Sequence, residues 1–148
     1  MFFLETFGAN IGNGAKNYTG GKEVGFRLFD VADIPLSALD QPPEQLARWR
    51  EQGGQSFRTC DQLELVVRAS EALRCVPYLN WSEASTVPTD IVATHEWLKS
   101  QIQTTRVALD ERAKLRPEGV VVRTRDRQII VKLRFEDYER TTRKMWSP

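Results

Sequence analysis

Lys132 and Arg134 stand one residue apart in the run Ile130-Val131-Lys132-Leu133-Arg134-Phe135. In an extended segment, side chains i and i+2 share a face. Both cations therefore point one way, while Ile129, Val131 and Leu133 point the other way toward a core. Like charges on one strand face repel unless an anion lies between them, so the pair marks either a solvated face or an anion site. Glu118 opens the preceding run, Gly119-Val120-Val121-Val122-Arg123. Its carboxylate suits a hard divalent cation, or else simply faces water. A tight connection between the two runs predicts an antiparallel hairpin, and the register decides whether Glu118 joins the cations. An odd loop, Arg125-Asp126-Arg127, sets Thr124 opposite Gln128 and Glu118 opposite Arg134. An even loop without a bulge turns Glu118 to the other face. A joint site of Glu118, Lys132 and Arg134 requires the odd loop.

Other residue types narrow the chemistry. His95 is the only histidine, which excludes multi-histidine metal sites and argues against His-based triads. It lies between polar neighbours on a predicted helix and reads as structural. The two cysteines, Cys60 and Cys75, make neither a disulfide framework nor a zinc site, and read as small buried hydrophobes of a reducing cytoplasm. Carboxylates, lysines, arginines and backbone amides are left to act. Residues 101–148 hold 12 Lys/Arg against 7 Asp/Glu, net +5, whereas residues 1–100 hold 9 against 13, net −4. The basic third is the natural place for a polyanion. Arg123, Arg125, Arg127, Arg140 and Arg143 form either an RNA-backbone surface or a solvated face, and Lys16 is a further candidate for a phosphate. Trp49, Trp81, Trp97 and Trp146 read as packing anchors.

The chain has 148 residues, 41% hydrophobic and 28% charged, as expected for one globular domain over 1–148. No apolar run approaches the roughly 18–20 residues of a membrane span. The start, Met1-Phe2-Phe3-Leu4-Glu5, lacks a basic n-region and predicts no signal peptide, hence a cytoplasmic protein. Residues 2–7 and 23–31 read as strands, separated by a glycine-rich loop over 8–21. Pro42-Pro43-Glu44 opens a helix that stops at Gly53-Gly54. Asp61, with Glu64 three residues later, predicts the cap of a second helix. Residues 75–79 read as extended, and Thr89 or Asp90 starts a helix to about Ile102. Strands over 118–123 and 128–135 and a polar helix over 136–144 complete the chain. Mixed elements without regular βαβ alternation give an α+β class with antiparallel sheet.

Four segments, in order, resemble the nucleotidyltransferase motifs of ATP-dependent RNA ligases. They are Leu4-Glu5-Thr6-Phe7-Gly8 with its glycine-rich loop and Lys16-Asn17-Tyr18, then Phe26-Arg27-Leu28-Phe29-Asp30-Val31, then Pro117-Glu118-Gly119-Val120-Val121-Val122-Arg123, then Lys132-Leu133-Arg134-Phe135-Glu136-Asp137-Tyr138. Each is weak alone, and the ordered set carries the likeness. The resemblance implies an incomplete ligase adenylation domain, with ATP and Mg2+ as cofactors and RNA ends as partners. Lys132 and Arg134 would then hold the ATP phosphate, and Glu118 a metal. Glu5 would contact the ribose or a metal, and Phe29 would stack on adenine. Lys16 and Arg123 would touch RNA. The family activity is RNA strand joining or repair through lysyl-AMP and RNA-adenylate. The chain departs from the pattern at one point: none of its lysines stands in a Lys-x-Asp/Asn-Gly motif before the glutamate strand. It therefore looks like the C-terminal part of such a domain and is not expected to self-adenylylate. A complementary N-terminal segment, or self-association, is the partner this implies. Two alternatives stand beside it: a non-catalytic nucleotide- or RNA-binding module, and an unrelated α+β interaction protein.

Overall fold

The structure, a computed structural model, describes residues 1–127 and 129–146, with the side chain of Trp146 outside that set. The expected place of Gln128 opposite Thr124, and the packing role of Trp146, lie outside the described residues. The chain is mixed α and β with antiparallel pairing, in agreement with the α+β class at that level. It divides into two compact units, one of residues 1–5 and 26–76, the other of residues 6–25 and 77–148.

Strands β1 (Phe2–Gly8), β2 (Val24–Asp33) and β3 (Ser56–Phe57) form a sheet in that order. β2 pairs antiparallel with β3, Ala32 opposite Phe57. Between β1 and β2 the expected loop contains a single helical turn, α1 (Ala15–Tyr18). In the first unit, α2 (Leu36–Leu39) and α3 (Pro43–Glu51) follow β2. Proline at the N-terminus and the left-handed Gly53 (φ 75°) bound α3, as expected. Helix α4 (Cys60–Arg68) starts earlier than Asp61: Thr59 caps it, accepting from Gln62 N at 3.3 Å, while Gln62 Oε1 accepts from Thr59 N at 3.0 Å. The unit's core is Leu28, Val31 and Leu63, with Val66, Val67, Leu73 and Cys75 against it. Cys75 continues the sheet through a single parallel bridge to Leu28. Both cysteines are half-buried, not fully buried as expected, and neither is in a disulfide.

The second unit is built on α5 (Ile91–Gln101), β4 (Gly119–Arg123), β5 (Ile130–Arg134) and α6 (Phe135–Trp146). Asp90 caps α5 by accepting from Ala93 N at 2.8 Å. Leu98, Val120, Leu133 and Phe135 form the core, with Leu79, Trp97, Ile102, Val122 and Tyr138 packed around it. His95 is buried, stacked on Tyr138 at 5.8 Å. Acids in the first turn of α6 and bases in its last complement the helix dipole.

The β4–β5 register is Gly119↔Arg134, Val120↔Leu133, Val121↔Lys132, Val122↔Val131 and Arg123↔Ile130, with no bulge among these pairs. Thr124 N donates to Ile129 O at 2.9 Å, so the hairpin closes between Thr124 and Ile129, which are separated in sequence by an even number of residues. The odd loop is thus overturned. Glu118 falls opposite Phe135, whose N–H donates to Glu118 O at 3.0 Å, and not opposite Arg134. The side chain of Thr124 contributes to this closure by accepting from Ile129 N at 3.1 Å.

Candidate functional site

β5 places Lys132 and Arg134 on one face, as its alternation predicts, and both are exposed. Their cross-strand partners decide how open that face is. Lys132 stands opposite Val121 and Arg134 opposite Gly119. Gly119 has φ 155°, and a Cβ there would lie 1.9 Å from Leu133 O, so only glycine fits. The same absence leaves no β4 side chain over Arg134. Val121 and Ile130 on this face are 57% and 49% exposed, so among the described residues no other element covers them. The face carries Arg123, Lys132 and Arg134 and no acid. The opposite face holds Val120 and Leu133 in the core, but Val131 and Ile129 stay exposed, which corrects their expected burial.

Glu118 is exposed and stands just before β4. Its Oε1 lies 2.6 Å from where a Cβ on Gly14 would sit, and the Asn17 amide lies 3.7 Å from the same point. The glycine-rich loop therefore lies against Glu118, and a side chain at Gly14 would displace that carboxylate. Arg116 Nη2 donates to both carboxylate oxygens of Glu139, at 3.0 and 2.8 Å, and ties the approach to Glu118 onto α6. Among the described residues no group of three or more His, Cys, Asp or Glu side chains is placed to hold a metal. At Glu118 the chain offers one carboxylate, not a ligand cage.

Lys16, on α1, lines a cleft of about 330 Å³ with Arg112, Lys114, Asn10, Gly20 and Gly21. Lys114 N donates to Lys16 O at 2.8 Å, which brings these two cations to one rim. Sequence reading missed Arg112 and Lys114, because residues 102–116 have no periodicity to assign them a place. Asp110 fixes this loop. It accepts from the Thr19 hydroxyl, from Gly20 N at 3.0 Å and from Arg112 N at 2.7 Å. Those bonds, the Thr19 hydroxyl first, hold its carboxyl far below the usual aspartate range.

Glu5 and Phe29 belong to the first unit. Glu5 is an exposed residue of β1. Phe29 is 37% exposed and joins an aromatic cluster, with Phe3 between it and Phe57 at centroid distances of 6.2 and 5.5 Å. A cleft of about 340 Å³ in that unit is lined by residues of α2 and α3 and of the turns beside them, including Arg48 and Trp49, and by none of the candidate residues. Trp49 and Trp97 pack as expected, Trp49 against Gly54 and Trp97 against the second core. Trp81 does not: it is 54% exposed.

No protein-family model matches the chain, and neither the curated proteins nor the solved structures give a match. No described helix is long and apolar enough to cross a membrane.

Proposed function

We propose that this chain is a non-catalytic RNA-binding module whose contact surface is the open face of the β4–β5 hairpin. The observation that carries this reading is the exposure of Lys132 and Arg134 together, beside Arg123 and with no acid on that face. The exposed pair Lys132 and Arg134 suits anions spaced along a backbone. The hairpin, residues 119–134, holds five Lys/Arg and one Asp, which extends the same field around its loop. Binding would position the phosphates without reading sequence. The test is a fluorescence-anisotropy titration with end-labelled RNA. The wild-type chain is expected to bind, and Lys132→Ala/Arg134→Ala to weaken binding at least about tenfold. Equal affinities for the two would refute the reading.

A second reading keeps the ligase resemblance, with ATP and Mg2+ bound and RNA ends joined once a lysine nucleophile is supplied. The contact of Glu118 with the glycine-rich loop favours it, because both belong to the resembling segments. The even hairpin loop counts against it, since the register sets Gly119 and not Glu118 opposite Arg134. Incubation with α-labelled ATP and magnesium separates the readings. Label on the protein, in the presence of an upstream lysine segment and lost on Lys132→Ala, would favour a ligase. No label with RNA still bound favours the binding module.

A further inference from the structure

Leu79 packs into the core of the second unit, against the cluster of Leu98, Val120 and Leu133. Its neighbours Tyr78 and Trp81 stay outside, 53% and 54% exposed, with ring centroids 5.4 Å apart and planes tilted by 51°. Two cations accompany them. The Arg125 guanidinium, from the hairpin loop, lies 5.4 Å from the centroid of Trp81. Arg106 Nη1 donates to Tyr78 O at 3.2 Å. Burying Trp81 against the core would remove large apolar area from water, so a half-exposed indole beside another ring forgoes that stabilisation. An exposed aromatic ring flanked by arginine is the chemistry that takes an unpaired base with its phosphate, because every base has a π-face.

We propose that Tyr78, Trp81 and Arg125 form a stacking platform for an unpaired base, so that the module's ligand is single-stranded RNA. This rests on the RNA-binding reading above and adds a selectivity that the basic strand face alone does not supply. A duplex keeps its bases stacked internally and offers the platform nothing except its phosphates. Arg125 belongs to the same hairpin as Lys132 and Arg134.

The experiment is an anisotropy titration of the full chain against labelled single-stranded RNA and against duplex RNA of equal length. Wild type, Trp81→Ala and Trp81→Phe are compared, with the Tm of each measured alongside. Wild type is expected to prefer the single strand. Trp81→Ala should weaken single-strand binding about fivefold or more while leaving duplex binding and Tm unchanged, and Trp81→Phe should restore most of the loss. If Trp81→Ala leaves single-strand binding intact, the platform is overturned while RNA binding stands. If single-strand and duplex binding fall together, Trp81 does not select bases, and the proposal is again overturned. If wild type binds neither RNA, the underlying reading fails, and the platform with it.

Discussion

Lys132 and Arg134 were legible because strand period and residue type suffice: one face, two cations, no acid. Their environment was not. Which β4 residues stand opposite depends on loop length, and Arg-Thr-Arg-Asp-Arg-Gln over 123–128 contains no glycine to mark a turn type. The chain instead places Arg127 at φ 60° and uses the Thr124 hydroxyl in the closure. Asp110 shows the same limit. It lies in an irregular segment, and its partners Thr19 and Gly20 are about ninety positions away in sequence. Its depressed pKa makes a signed prediction. The stabilisation it gives is fully present above the ordinary aspartate value of 3.8 and is lost as pH falls toward the folded value. Asp110→Asn should therefore have a lower Tm than wild type at pH 7, with the gap narrowing in acid below pH 3.8. Thermal melts across pH check this. A gap that widens in acid would contradict it.

At the scale of elements, long periodic or capped segments were readable and short ones were not. Strands β1, β2, β4 and β5 and helices α3, α5 and α6 follow hydrophobic spacing and Pro, Gly or Asp boundaries. The four-residue α1 and α2 and the two-residue β3 are shorter than any period. Helix α4 is a closer case, because both Thr59 to Gln62 and Asp61 to Glu64 have capping-box spacing. The earlier box wins, since it extends the helix and leaves Asp61 in the first turn, where its charge suits the dipole. Thr59→Ala removes that box and should cost about 1 kcal/mol. Asp61→Ala loses only the charge term and should cost less than Thr59→Ala. Urea unfolding of the two variants ranks them, and the reverse order would restore Asp61 as the cap.

For the whole molecule, the division into two units was not legible, because each takes residues from distant parts of the sequence. Charge was more informative. The basic third falls in the second unit, together with the β4–β5 face, the Lys16 cleft and the Tyr78–Trp81 pair. The candidates Glu5 and Phe29 fall in the first unit and take no part in the proposed RNA contact. The central claim is that the open hairpin face binds RNA through phosphate contacts, and the salt dependence of affinity tests it most directly. Affinity for single-stranded RNA should fall linearly on a log–log plot against salt concentration. In Lys132→Ala/Arg134→Ala the slope should be shallower by about 1.4, from about 0.7 for each cation removed. An identical slope and affinity in the wild type and the double variant would contradict the account.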